Sequence, residues 1–361
     1  MPAEASAASP DDVSGRRLAA QLLCGPPAGG PVEVAERLLA VQGQDPRGAR
    51  LAVRARTVGQ TAADVDRALT VHRSLVITWL NRGTLHMIRS ADYWWLHRLT
   101  ARPQFQVGCL RILAGLGVSA AAAEQGVAVV ERALATDGPL TRASLASLLS
   151  AAGLPADGGV ALHVLMLASL RGIAVRGPMI GGEHAYAHVR EWLGQQPPDP
   201  DPDQALAWLA RRYLAGHGPA TDRDLAKWAG LPVTWARRGL AAIAADLRDR
   251  PDGRAELASA ARSAGQPPPR LLGAYDPVLL GWASRSHVLA GHEEIVTANG
   301  RFRPFVLVAG QAAGTWAYQG GDVLVDRFAR MPREVEAALA AEAADVRRFL
   351  AGEPELAPDD A

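Results

Sequence analysis

The segment Asp137-Gly138-Pro139-Leu140-Thr141 leads through Leu145-Ala146 to Gly153-Leu154-Pro155. It returns as His217-Gly218-Pro219-Ala220-Thr221, which leads through Leu225-Ala226 to Gly230-Leu231-Pro232. An internal repeat constrains a fold more tightly than any short motif, because each copy must build the same supersecondary unit. A helical pattern precedes each copy, at Val127–Leu134 and Ala205–Leu214. Each threonine is placed to cap a short helix, and Asp224 stands three residues after Thr221. Gly-Leu-Pro then ends that helix, glycine supplying the left-handed turn and proline blocking continuation. A third helix follows, around Val160–Leu170 and Val233–Ile243. Helix, turn, short helix, turn and helix is the order of a helix-turn-helix core.

The residues after the repeat echo each other as well. Leu170-Arg171-Gly172 leads into Ile173–Arg176, and Leu80-Asn81-Arg82-Gly83 leads into Thr84–Ile88. Both read as a helix that ends at a glycine, followed by a short strand. A helix-turn-helix core with a strand pair is a winged helix, so the sequence predicts three in tandem, over 13–110, 125–193 and 204–265. Further on, Asn299-Gly300 lies between strand-like runs within Ile295–Arg303, a hairpin signal. Phe305–Val308, Thr315–Tyr318 and Val323–Asp326 continue as strands, giving a small β-barrel or sheet over 270–328. Val335, Ala338, Leu339, Ala343, Val346 and Leu350 recur at helical spacing, which predicts a closing helix over 333–351. The fold class is α+β, mainly α. Residues 1–12 read as frayed, the proline-rich runs 195–203 and 266–269 as loops, and the acidic end from Glu353 as a disordered tail.

Composition narrows the function. The chain of 361 residues is 48% hydrophobic and 21% charged, as in globular multidomain proteins. It has no uninterrupted apolar run of about 18 residues, and Met1-Pro2-Ala3-Glu4 carries no secretion signal. The expected setting is cytoplasmic, without membrane contact. Cys24 and Cys109 are too few for a disulfide framework or a zinc site. His184 and His188 have helical metal spacing without a third ligand, and Gly115-Leu116-Gly117 lacks the third glycine of a dinucleotide site. No metal and no cofactor is expected. The 38 basic residues include a single lysine, Lys227, so amine-nucleophile chemistry has one candidate. The formal net charge is +1, yet eleven arginines against three aspartates make the segment Pro46–Arg111 +8. Such a segment suits a polyanion-binding face.

Leu39-Ala40-Val41-Gln42-Gly43-Gln44-Asp45-Pro46, followed by Trp79-Leu80-Asn81-Arg82-Gly83-Thr84-Leu85-His86, resembles the first winged helix of the AlkZ-like DNA glycosylases. Bacterial interstrand-crosslink glycosylases are among that family. The likeness runs on through Arg211-Arg212-Tyr213-Leu214, His217–Thr221, Asp276-Pro277-Val278-Leu279-Leu280 and Gly314-Thr315-Trp316. The resemblance implies three tandem winged helices in a C-shaped arrangement with a β-barrel, and removal of bulky alkylated purines from DNA. It also assigns catalysis to a Gln-hydrophobic-Gln motif, which falls on Gln42 and Gln44, with Gly43 where a larger apolar residue is typical.

The residues themselves carry a compatible chemistry. Glutamines at i and i+2 point to opposite sides of a helix but to the same side of an extended chain. Val32–Val41 reads as an amphipathic helix that Gly43 weakens, and Pro46 disfavours helical geometry at Asp45. Both amides then face one cleft where the helix unwinds, with donors and acceptors enough to hold a water beside a sugar C1′. Glutamine is a poor general base near pH 7. The substrate must therefore bring its own activation, as an N7- or N3-alkylated purine does through its positive charge. With one lysine in the chain, the expected enzyme is monofunctional and leaves an abasic site. Asp45 is either a carboxylate that orients water or steadies an oxocarbenium ion, or a turn or cap residue before Pro46. Candidate DNA contacts are Arg47, Arg50 and Arg54 from the basic segment and Arg82 and His86 beside a strand. Arg301 and Arg303, around Phe302, complete the set. The function expected is a monomeric DNA glycosylase acting on double-stranded DNA that carries alkylated purines, giving resistance to a DNA-alkylating natural product. The alternatives are a non-catalytic winged-helix regulator using the same basic face and a scaffold for other proteins.

Overall fold

The helix signals of the repeat close as hydrogen bonds. Thr221 Oγ1 accepts from the Asp224 N–H at 3.1 Å while Asp224 Oδ2 accepts from the Thr221 N–H at 2.9 Å, a reciprocal capping box. Thr141 Oγ1 accepts from the Ser144 N–H at 3.1 Å in the other copy. Gly153 and Gly230 follow the two short helices with φ of 87° and 68°, a region in which a side chain is strained.

The computed structural model describes residues 10–155, 158–260, 265 and 267–351. Most of the stretch read as frayed, and the acidic tail, lie outside the described residues. In chain order the elements begin α1 (Pro10–Ala20), α2 (Pro31–Leu38), β1 (Val41–Gln42), α3 (Pro46–Arg54), α4 (Ala62–Thr70), β2 (Leu75–Leu80), β3 (Thr84–Arg89) and α5 (Tyr93–Thr100). Next come α6 (Pro103–Gly115), α7 (Ala120–Thr136), α8 (Arg142–Ala151), α9 (Gly158–Leu170), β4 (Ala174–Ile180), β5 (Glu183–His188) and α10 (Val189–Leu193). Then follow α11 (Pro202–His217), α12 (Asp222–Ala229), α13 (Val233–Ala242), β6 (Leu247–Arg248), β7 (Glu256–Leu257) and β8 (Arg270–Leu272). The last elements are α14 (Ser286–Leu289), β9 (Phe305–Val308), β10 (Gln311–Gln319), β11 (Asp322–Arg327) and α15 (Arg333–Leu350). The protein is a mixed α/β chain. The described residues up to Val65, joined by those from Asp201 on, make one compact unit, and Asp66–Pro200 make a second.

In the second unit an antiparallel sheet runs β3-β2-β4-β5, with Ile77 opposite both Met87 and Arg176. Every residue of β2 is buried. That explains one departure from expectation: the segment before Gly83 is a strand and not a helix. The run Leu75–Leu80, apolar but for Thr78, is covered on both faces, so it shows none of the alternation that marks a half-buried strand. His184 and His188 likewise lie on β5, not at helical spacing on a helix. The apolar helix α9 packs on β2 and β4 and is flanked by α6, α7 and α8, with Val164, Leu165, Leu167 and Ala168 fully buried.

The first unit is centred on α11, against which α1, α2 and α13 pack. Tyr213, His217, Trp228 and Trp282 form its aromatic core, with Tyr213 and His217 stacked at 4.8 Å. A short antiparallel ribbon, β6–β7, follows α13. The C-terminal strands form an open antiparallel sheet, β11-β10-β9-β8, rather than a closed barrel. Its edges explain the difference. β8 is only three residues long and β11 is mostly exposed, so neither offers a partner for closure. The Asn-Gly turn closes with the single bridge Val296–Phe302 instead of two strands, because Glu293–Ile295 form a 3-10 turn. The helix expected at the end is α15, whose Glu342 accepts from the Leu271 N–H of β8 at 3.0 Å.

Candidate active site

Helix α2 stops at Leu38 because Leu39, fully buried, takes a φ of 63° and turns the chain. Ala40 then bonds back to Leu38 O at 2.7 Å, and the backbone leaves extended as β1. That extended path puts the side chains of Gln42 and Gln44 on one side. Gln42 Nε2 donates to Gln44 Oε1 at 2.8 Å. Gln42 and Gly43 are buried while Gln44 is half-exposed, so one amide anchors the pair and the other meets solvent. Among the described residues Gln44 Nε2 has no hydrogen-bond partner, leaving its two donors for a water or a substrate.

Asp45 is the N-cap of α3. Its Oδ1 accepts from the Gly48 N–H at 2.6 Å, and Pro46 occupies the first helical turn. Of its two sequence readings, the cap is realised. The carboxylate still lies one residue from Gln44, its charge partly offset by the positive end of the helix. The N-terminus of α3 is pressed against another segment. A Cβ on Gly48 would stand 2.4 Å from Ala274 O, and one on Gly273 2.9 Å from Leu51 Cβ. Only glycines allow this approach, and it brings Tyr275 beside Asp45. Burial raises the Tyr275 phenol, a hydrogen bond from the Phe302 backbone opposes that shift, and the Asp45 charge adds to it. Tyr275 and Phe302 pack with ring centroids 5.1 Å apart, and the Arg285 guanidinium sits 4.9 Å from the Phe302 centroid.

The arginines expected to meet DNA divide sharply. Arg301 and Arg303 are exposed. Arg47 is half-buried with its guanidinium 5.6 Å from the Tyr318 ring centroid. Arg82 is half-buried in the turn between β2 and β3 with a φ of 59°. Arg50 and Arg54 are corrections: both are buried, at 1% and 2% exposure. Arg50 donates to Pro46 O at 2.9 Å. Arg54 is committed to Glu342 at 2.8 Å, Asp345 at 2.9 Å and Leu271 O at 2.7 Å. Neither faces solvent where a phosphate could be met. His86 is a third correction. It is buried on β3 with Nδ1 2.9 Å from Thr84 O, and burial, helped by the nearby Arg82 charge, pushes its imidazole down to about 3. It is neutral at physiological pH and offers DNA no charge. Among the described residues no group of three or more metal-ligating side chains comes together, and no single helix is long and apolar enough to cross a membrane.

Residues 35–349 match the profile of the family described as DNA glycosylase AlkZ-like. The chain belongs to the AlkZ-like DNA glycosylase family. A curated relative from Streptomyces sahachiroi, named an interstrand DNA cross-link repair glycosylase, is 28% identical, with 88% of this chain and 90% of the relative covered. The solved structure of Streptomyces sahachiroi DNA glycosylase AlkZ is similar with a TM-score of 0.75 at 26% identity, over 95% of this chain and 97% of that one. As a member of the family the protein is a DNA glycosylase, a hydrolase of N-glycosyl bonds in DNA repair, which closes the non-catalytic alternatives. The sequence did not single out Tyr275, Phe302 or Arg285. The only local sign was an aromatic residue just before Asp276-Pro277, and the contacts that bring it to Asp45 are long-range.

Proposed function

We propose that this glycosylase releases bulky cationic N7- or N3-alkylated purines from double-stranded DNA, acting as a monomer and leaving an abasic site. The observation that carries the proposal is the hydrogen bond from Gln42 Nε2 to Gln44 Oε1. It fixes two neutral amides on one side of an extended chain, with the donors of Gln44 open to a water. In this reading Gln42 holds Gln44, and Gln44 places the water against C1′ of the lesion sugar. Asp45, engaged as a cap, contributes charge to an oxocarbenium-like transition state while the amides supply orientation. Such a set has no strong general base, which suits a leaving group that departs neutral because it starts cationic. The name of the Streptomyces sahachiroi relative makes interstrand DNA crosslinks candidate substrates, and the proposed role is resistance to a DNA-alkylating natural product.

The same reading takes α7-α8-α9 with β4–β5, and α11-α12-α13 with β6–β7, as winged helices, and 13–110 as a first one. In it Arg301 and Arg303 supply phosphate or minor-groove contacts, and Arg47 and Arg82 more limited ones.

The test is alkali-revealed strand cleavage of an N7-alkylated duplex after incubation with the protein. Cleavage at the lesion is expected, with no release of uracil from a matched control. Gln42→Ala or Gln44→Ala should slow it by about 10²–10³, the usual cost of one preorganised polar group. Cleavage unchanged in both variants, or equal release of uracil, would falsify the assignment.

A further inference from the structure

Between Leu271 and Leu279 every residue is buried except Tyr275. That residue has a φ of 57°, in the left-handed region that a bulky side chain rarely adopts. The conformation is imposed from both sides. Before it, Gly273 and Ala274 are wedged against Gly48 and Leu51 of α3. After it, the fully buried Asp276 binds Arg56 through both carboxylate oxygens, at 2.8 and 2.9 Å. A glycine would satisfy this backbone without strain. A strained, half-exposed aromatic residue held in place by its surroundings invites a role beyond stability. The ring is half-exposed and rests on Phe302, and its chain neighbour Ala274 packs on Gly48, the residue that Asp45 caps.

We propose that Tyr275, backed by Phe302, is a stacking surface that receives the planar part of a bulky purine adduct and sets the preference for bulky over small lesions. This rests on the glycosylase reading above and adds the group that determines substrate size. Stacking needs the ring face, not the phenol. Arg285 lies over Phe302, so the aromatic column is held at its far end by a cation. Phe302 is placed by the Val296–Phe302 bridge and by the Arg303 N–H donating to Ile295 O at 2.9 Å.

The experiment compares wild type, Tyr275→Phe and Tyr275→Gly on duplexes carrying either N7-methylguanine or a polycyclic aromatic N7-guanine adduct. Single-turnover release and equilibrium binding relative to undamaged duplex are both measured. Tyr275→Gly should lower the bulky-to-methyl ratio of release by about tenfold or more, the scale of one lost base–aromatic stack, and lower the binding preference for the bulky adduct alongside. Tyr275→Phe should keep both ratios. Melting of Tyr275→Gly separates this from unfolding, because glycine suits the backbone. If wild type releases both bases and Tyr275→Gly loses rate equally on each, or not at all, the stacking role is overturned and the glycosylase reading stands. If wild type releases neither base yet its preference for the bulky adduct disappears in Tyr275→Gly, the stacking role stands and the proposed reaction fails. Absence of any preference in wild type overturns the role outright.

Discussion

Arg56 and Asp276 supply the most exacting test of how the first unit is held together. Both side chains are 0% exposed. All five guanidinium hydrogens are used: Nε on Gln21 O at 2.8 Å, Nη1 on Ala52 O and Asp276 Oδ2 at 2.9 Å each, and Nη2 on Gln21 Oε1 at 3.1 Å and Asp276 Oδ1 at 2.8 Å. Arg56→Met leaves the carboxylate with the Val278 N–H at 3.0 Å and no counter-charge. Removing one partner of a buried, fully bonded pair costs about 3–5 kcal/mol. At about 2–4 °C per kcal/mol, Tm should fall by about 6–20 °C. The control is Arg237→Met, whose partner is Asp222 and whose side chain is 63% exposed. It should cost no more than about 1 kcal/mol. The double variant Arg56→Met/Asp276→Leu should recover much of the loss, since no charge is then stranded. Thermal and urea melts of wild type, the two arginine variants, Asp276→Leu and the double variant measure this. If Arg56→Met melts no lower than Arg237→Met, or if the double variant loses the sum of its two singles, the pair is not the buried clasp described here.

Three further outcomes are expected. The buried His86 and His217 are both held down to about 3, against 6.5 when unfolded, chiefly by burial. Because the folded values lie below the unfolded one, protons are taken up first by the unfolded chain. Stability is therefore full above about pH 6.5 and lost towards pH 3, on the order of 2 kcal/mol per histidine by pH 5. A Tm that stays flat from pH 7 to pH 5 would count against that burial. Lys227 is exposed on the last turn of α12; borohydride should trap no covalent DNA adduct, and a trapped adduct lost in Lys227→Ala would make the enzyme bifunctional. Removing Arg301 and Arg303 together should weaken binding to any duplex and lower the log–log salt slope by about 2, at roughly 0.9 per phosphate. An unchanged slope in anisotropy titrations would take both arginines out of the DNA interface.

Local devices were readable from the sequence and long-range ones were not. Thr221 with Asp224, Gly230 and Pro232 act within a few residues of one another, so α12 and its ends follow from the chain alone. An extended path at Gln42 and Gln44 was expected from Gly43 and Pro46, but the helix ends earlier than Val41, at Leu38, where buried Leu39 turns the chain. The strand β2 was missed because its six buried residues, five of them apolar, carry no period. The open sheet was missed because closure depends on edges far apart in sequence. Arg54 of α3 and Arg56 just beyond it show the limit most clearly. Their charges were counted correctly, but the carboxylates that bury them stand 288 and 291 residues away for Arg54, and 220 for Arg56. A local count of +8 was therefore a poor guide to how much positive charge reaches the surface.

That internal neutralisation bears on catalysis. With Arg54 and Arg56 paired inside the unit, Arg50 buried, and Asp45 tied to the helix terminus, the surroundings of the amide pair hold little mobile charge. A site of this kind does little to force a reluctant base away from its sugar. On the proposed reading, selectivity would arise from reactivity: undamaged purines would stay, while a purine made cationic at N7 or N3 would leave once water is held in line. Shape discrimination would then not be needed to protect normal DNA. An open, half-exposed aromatic surface beside the pair is what such an enzyme requires, because it rewards bulk without excluding it. On this logic, a general base at position 44 would broaden the leaving groups accepted, and Gln44→Glu should gain slow release of neutral bases in the alkali-cleavage assay, an outcome refuted if uracil release stays at the wild-type level.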